Sequence, residues 1–426
     1  MFVWGGCSAT YCPNSGPEYL RWGDAGFLTD DYWHSFSDPS WSSYIYLEVN
    51  SLPVTFSSYN SEHQYSLQVT GNGAPATFHI QDCSSCYTDD AGSLTVEIIE
   101  GATDAGAFSL GILPLQQRGF PEADAQWAND IMGDPATAGS TIGAVGCFLT
   151  DWAMTINYWG FQYNFRTTPR DLNNWLRQHG GYQKGTNNVW TTKVLEYVRT
   201  ITQRPFILGD QANNDTTLNT LLESGIPVIL AVNSAGHYVL ATGETTYQGA
   251  PTWYINDPYY NNLFDLVPTL KSHYNNVYSR MQWVAEVQGP PSPTSISFAL
   301  ASPAELLITD PQGRRTGVDP RTGTTYSEIP GASYYVQALA DDTGQGPPPH
   351  PVKEFYAPTP TDGSYKVEVI GTGSGSYTFD QLTYDAGGAP SNNTVVGQTT
   401  PGQVDTYNIS YASGSSPNVF IPLVRR

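Results

Sequence analysis

Apolar side chains in this sequence recur at every second position towards both ends, and at every third or fourth position only in the middle. Period two sets one face of an extended strand on a core, whereas a period near 3.6 sets one stripe of a helix there. Tyr44–Val49, Gln64–Val69 and Ser93–Ile98 alternate between turn residues, as do Ala304–Asp310, Tyr365–Ile370 and Gln403–Ile409. Between these blocks, a helix starting near Cys147 carries Leu149, Ala153, Ile156 and Trp159 on one stripe and stops at Gly160. Further helices are predicted over 169–179, 190–200 and 215–224, then strands over 227–232, 237–243 and 252–256. Helices followed by antiparallel strands is an α+β order.

The 426 residues are too many for one core, and at roughly 100–200 residues per domain they divide into three. We expect a β-sandwich-like domain over 1–105 and an α+β domain over 106–288. After the stiff linker Gly289-Pro290-Pro291-Ser292-Pro293-Thr294 we expect an Ig-like β-sandwich over 289–426, with Gly344–Pro349 a loop inside it. The expected fold class is therefore multidomain, α+β in the centre and all-β on both sides. The terminal Val419–Arg426 reads best as a last strand of the final sandwich.

Charged residues make up 13% of the chain and the net charge is −21. That balance excludes nucleic acid and anionic membrane surfaces as partners, since both demand a basic face. No run approaches the roughly 18 apolar residues of a membrane span. A surface rich in Gly, Ser, Thr, Asn and Tyr suits a secreted, extracellular or cell-surface setting, although Met1–Gly6 lacks the basic start of a signal peptide. Of the five cysteines, Cys7 and Cys12 make a Cys-x4-Cys, and Cys83 and Cys86 a Cys-x2-Cys. In an oxidising exterior these are disulfide candidates with three pairings open; a four-thiolate zinc site is the rival. Asp89-Asp90-Ala91-Gly92 reads as a solvated turn, with calcium or sugar binding as the alternative.

Cys147 is left over. It stands at the start of the predicted helix, where unpaired N–H groups and the helix dipole favour a thiolate. Gly146 before it lets the backbone turn sharply and would leave the sulfur accessible. Downstream, the strands 238–243 and 252–256 flank a connection centred between Tyr247 and Gln248. Symmetric pairing then sets residue i opposite about residue 495 − i, so that Thr245 would face Ala250 and His237 would face Asp257 or Pro258. Cross-strand Cβ atoms lie about 5 Å apart, within reach for a carboxylate to orient an imidazole. Asn256 is the other candidate orienter, on the opposite face of its strand.

Taken together, Gln117-Arg118, Trp127–Gly133, Thr141–Gly143, Gly146–Thr150, Ala153-Met154, Asn157–Gly160, Pro227–Leu230, His237–Gly243 and Ile255–Pro258 resemble the papain-like cysteine peptidases of the C39-like type. The resemblance covers about residues 112–285. It implies a Cys147–His237–Asp257 triad and a glutamine donor to the oxyanion, Gln117, with Gln126 as the alternative because extra residues stand before Trp127. It also implies a peptide or protein substrate and no metal or organic cofactor. Phe148 and Asp151 replace the small residues common near the nucleophile in that family, which would alter the pockets or narrow the entrance.

Two functions follow. One is an extracellular cysteine peptidase hydrolysing peptide or isopeptide bonds, its β-domains holding substrate, carbohydrate or cell wall. The other is a structural or adhesive protein, a self-associating surface-layer or filament subunit, in which the peptidase-like domain is inactive. An open groove over Cys147 favours the first, and a thiol buried under a subunit interface favours the second.

Overall fold

The computed structural model describes residues 2–4, 21–23, 27–29, 33–35, 46–49, 52–54, 78–81, 91–92, 108–112, 114–118, 127–134, 140–160, 163, 165–259, 268–289, 292–340, 342, 351–414 and 420–423. In the first part of the chain these are short strands. β1 (Phe2–Trp4), β2 (Arg21–Gly23), β3 (Phe27–Thr29), β4 (Trp33–Ser35), β5 (Tyr46–Val49), β6 (Leu52–Val54), β7 (Phe78–Gln81) and β8 (Ala91–Gly92) form two antiparallel sheets, ordered β4-β3-β2-β1-β8 and β6-β5-β7. Cys7, Cys12, Cys83, Cys86, the Asp89-Asp90 turn and the strands expected over 64–69 and 93–98 lie outside the described residues.

The middle of the chain is α+β. Its sheet contains β9 (Phe108–Ser109), β10 (Phe206–Ala212), β11 (Val228–Val232), β12 (His237–Tyr247), β13 (Ala250–Asn256) and β14 (Arg280–Glu286). The order is β10-β14-β11-β12-β13, with β9 against β12. Its helices are α1 (Ile142–Val145), α2 (Cys147–Gly160), α3 (Pro169–Gln178), α4 (Thr191–Thr202), α5 (Asp215–Glu223) and α6 (Leu270–Tyr274). Local chemistry explains several of these. Thr168 and Asp171 make a reciprocal capping box at α3 with Pro169 just inside it, and Asn214 accepts from the Thr217 N–H to start α5. Helix α2 is buried on almost every side because it packs on β12 and also against α3 and α4.

Strands β10 and β14 were not expected. They pair antiparallel from Phe206↔Glu286 to Ala212↔Arg280. Gly209 interrupts the alternation of β10 for a reason: a Cβ there would lie 2.0 Å from the Trp283 ring on β14.

The hairpin register differs from the sequence expectation. Thr245 faces Thr252 rather than Ala250, because the connection is a two-residue turn at Gln248 and Gly249 with φ of 52° and 77°. A bulge between Ala241 and Gly243 then shifts the pairing once more, and it ends at Leu240↔Asn256. Gly243 is where β9 crosses β12; a Cβ there would meet the Phe108 carbonyl at 1.9 Å.

The remaining strands are β15 (Ser295–Ala301), β16 (Ala304–Thr309), β17 (Arg315–Asp319), β18 (Thr324–Ser327), β19 (Ser333–Gln337), β20 (Val352–Ala357), β21 (Gly363–Gly371), β22 (Gly375–Tyr384), β23 (Pro390–Thr399), β24 (Val404–Tyr411) and β25 (Phe420–Leu423). They make two antiparallel sheets, β19-β20-β15-β22-β23 and β18-β17-β16-β21-β24-β25. Phe298, Phe355 and Phe379 from the first share one apolar cluster with Leu306, Val367 and Ile409 from the second. The terminal segment pairs as a strand, Thr406↔Leu423 to Ile409↔Phe420.

The first of these sheets also meets the α+β domain. Trp190, at the start of α4, packs with Ala299, Val352, Leu382 and Tyr384. Beside it Arg280 of β14 forms a two-pronged pair with Asp210 at 2.9 and 2.7 Å, and reaches Glu354 of β20 at 2.9 Å. Ser333 of β19 donates to the same Asp210.

Candidate active site

Cys147 is the first residue of α2, and the turn before it is closed by Gly146, where a Cβ would lie 2.3 Å from the Ile142 carbonyl. His237 is the first residue of β12. It follows a turn, Asn233-Ser234-Ala235, whose three residues all have positive φ (49°, 58° and 61°), a conformation that non-glycine residues adopt at a cost of about 1–2 kcal/mol each. Because α2 packs on β12, the two side chains meet. Cys147 Sγ, a ring nitrogen of His237 and a carboxylate oxygen of Asp342 lie within 4.8 Å of one another. Among the described residues these are also the donors placed closely enough to hold a metal ion.

His237 is gripped from both sides. Nε2 lies 2.9 Å from Asp257 Oδ1, and Nδ1 lies 3.1 Å from Asp342 Oδ1. Although β12 and β13 stop pairing at Asn256, Asp257 in the bend after β13 still reaches the imidazole. Tyr274 of α6 donates to Asp257 Oδ2 at 2.5 Å, and the Tyr259 N–H donates to Oδ1 at 3.0 Å. Asn256 faces elsewhere, donating to the Ile112 carbonyl at 2.9 Å.

Gln117 is fully buried and reaches the same place from an upstream segment. Its N–H donates to the Pro258 carbonyl, and its amide Nε2 donates to Gly143 O at 3.1 Å and to Asp342 Oδ2 at 3.0 Å. Gln126 lies outside the described residues. The structure thus brings Cys147, His237, Asp257 and Gln117 together. It adds two residues that sequence reasoning missed, Tyr274 and Asp342. The capping pair Thr269 and Ser272 was a local signal for α6 and so for Tyr274. Asp342 carried no such signal.

One expectation about the surroundings needs correction. Cys147 is not accessible: its relative exposure is 0%. Phe148 is buried, tilted on Tyr238 at a centroid distance of 4.5 Å and edge-on to Trp152 at 6.0 Å. Asp151, one turn after Cys147, is likewise buried, and neither of its carboxylate oxygens has a hydrogen-bond partner among the described residues.

Electrostatics follow from this packing. Burial pushes the Cys147 thiol up; His237 pulls against that, and Asp342 and Asp151 add to it. Burial works against a charged His237, but the attractions of Cys147 and Asp257 and the bonds to both aspartates outweigh it, and the imidazolium persists well above its usual range. Burial also opposes the Asp257 charge, yet His237, Tyr274 and the Tyr259 N–H hold its carboxyl below the ordinary value. Burial pushes the Asp151 carboxyl well above the ordinary carboxylate value.

Residues 124–286 match the Peptidase_C39 like family. The match takes in Cys147, His237 and Asp257, leaves Gln117 and Asp342 on either side, and supports a cysteine peptidase. No curated protein matches the chain. No helix among the described residues is long and apolar enough to cross a membrane.

Proposed function

With residues 124–286 a C39-like peptidase domain, we propose that the chain hydrolyses peptide or isopeptide bonds through Cys147 as nucleophile, His237 as acid and base, Asp257 as its orienter and Gln117 as oxyanion donor. The observation that carries this is the unbroken chain Tyr274–Asp257–His237 ending beside Cys147 at a helix start. With Nε2 held by Asp257, Nδ1, which Asp342 meets in this structure, is the nitrogen that serves the thiol. It takes the thiol proton, and the thiolate attacks the substrate carbonyl. Gln117 Nε2 and the Cys147 N–H receive the developing negative oxygen, each such donor being worth about 3 kcal/mol. His237 then protonates the leaving amine, and water releases the acyl group.

The low charge and hydroxyl-rich surface support an extracellular setting. The two C-terminal sheets, sharing one apolar cluster, support a sandwich that positions substrate or cell-wall material. Scaffold function is the second reading, and the buried thiol is what favours it. Cys147 is, however, covered from within this chain rather than by an interface between copies.

The test is labelling of Cys147 in the folded protein by iodoacetamide, wild type beside His237→Ala, with adducts located by mass spectrometry. We expect the rate to fall about a hundredfold without the imidazole, and Cys147→Ala to lose all peptide turnover. Equal, fast rates in wild type and His237→Ala would sink the peptidase reading and leave the scaffold.

A further inference from the structure

We propose that the site contains a carboxylate-binding pocket, formed by the Gln117 amide and His237 Nδ1, and that the chain fills it with its own Asp342, closing Cys147 to substrate. The inference rests on the peptidase reading above and adds to it the ligand class that the oxyanion position holds: a carboxylate carried on an extended peptide.

Asp342 lies against the two groups that the reaction needs free. Its Oδ2 accepts from Gln117 Nε2 at 3.0 Å, where the oxyanion would form, and its Oδ1 meets His237 Nδ1 at 3.1 Å, where the thiol proton would go. A carboxylate shares one negative charge over two oxygens, as does the acid product of acyl-enzyme hydrolysis, so both satisfy the same pair of donors. The occupant is also held by its backbone. The Ala338 and Ala340 N–H groups donate to the Ala235 and Gly236 carbonyls at 3.2 and 2.9 Å, and the Asp342 N–H donates to the Ala144 carbonyl at 3.0 Å. The segment therefore bridges the cleft from the turn before His237 to the helix before Cys147. Leu339, between those anchors, is buried in the same apolar cluster as Cys147, Phe148 and Trp152. The segment continues directly from β19, an edge strand of the C-terminal sheet.

The charges agree with the geometry. Asp342 meets the imidazole that would otherwise pair with the thiolate, and its proximity pushes the Cys147 thiol up in the same direction as burial. Asp342 thus opposes the thiolate that the reaction needs, and the site is closed both sterically and electrostatically.

The experiment compares wild type, Asp342→Ala and Asp342→Asn as full-length proteins, each with His237 intact and, separately, in a version that also carries His237→Ala, by iodoacetamide labelling of Cys147 and by hydrolysis of a peptide mixture. Thermal midpoints check that each variant is folded. We expect Asp342→Ala to label at least about tenfold faster than wild type and to gain hydrolysis, with Asp342→Asn between them. Acetate added to Asp342→Ala should slow labelling in a saturable way and leave wild type unchanged. Loss of hydrolysis in Asp342→Ala would overturn the proposal and make Asp342 a catalytic group. Equal, fast, His237-dependent labelling in wild type and Asp342→Ala would overturn the closure and leave the peptidase reading intact. Faster labelling in Asp342→Ala that ignores His237, without hydrolysis, would keep the cover and sink the peptidase reading. No labelling in any folded variant would sink both.

Discussion

Asp151 is a carboxylic acid sealed one turn below the nucleophile, with no hydrogen-bond partner for either oxygen among the described residues. Its folded pKa lies well above the ordinary carboxylate value because burial penalises the anion and Asp257 and Asp342 add to that, with His237 partly offsetting them. The folded state therefore holds a proton that the unfolded state has lost, and stability falls as pH rises through the window that opens at about pH 4. Asp151→Asn removes this titration while leaving His237 and Asp257 in place. We expect its thermal midpoint to match that of wild type below that pH and to exceed it increasingly as pH rises. Parallel curves of midpoint against pH would show that Asp151 is ionised in the fold. The sequence marked Asp151 as unusual near the nucleophile, but its burial answers to strands and loops far along the chain and was not visible there.

At the scale of elements, the junction of α1 and α2 sets the nucleophile. Gly146→Ala would drive a methyl to 2.3 Å from the Ile142 carbonyl, so the helices must separate at a cost of about 1–3 kcal/mol. We expect a folded variant whose Cys147 turnover drops by about tenfold or more; unchanged turnover would mean that the junction tolerates the shift. Local elements such as this were legible. Helices α2 to α5 announced themselves through apolar spacing and caps, and β12 and β13 through alternation. The hairpin register was not legible, because its bulge answers to β9, a strand brought in from over a hundred residues upstream, and its turn uses a left-handed Gln248 that no glycine rule anticipates. Strand β10 was hidden by Gly209, whose bareness makes sense only once Trp283 lies over it. Asp257 reached His237 although the register was wrong, because a bend just past the last pair leaves its side chain free to turn inward. Asp342 was beyond reach: 225 residues separate it from Gln117, and no local pattern encodes such a meeting.

Across the whole molecule, the α+β domain and the C-terminal sheets are joined by a buried charge network as well as by Trp190. Arg280 is buried with Asp210 and Glu354 on either side and lies over the Tyr335 ring at 4.4 Å. Its charge is held firmly, since burial is outweighed by the two carboxylates. Arg280→Ala would strand two acids without a counterion, a loss of about 3–5 kcal/mol. We expect a lowered denaturant midpoint and two separate transitions in place of one; a single transition at the wild-type midpoint would show that the apolar contacts suffice. The same joint fixes β19 and hence the approach of the segment that follows it. Because Asp342 belongs to the chain whose centre it occupies, its local concentration is set by that tether, about millimolar or more. A diffusing inhibitor lets go when the solution is diluted, whereas here the fraction of open centres is a property of each single molecule. It is the same at any protein concentration, and only an event that moves the chain itself, or peptide in large excess, alters it.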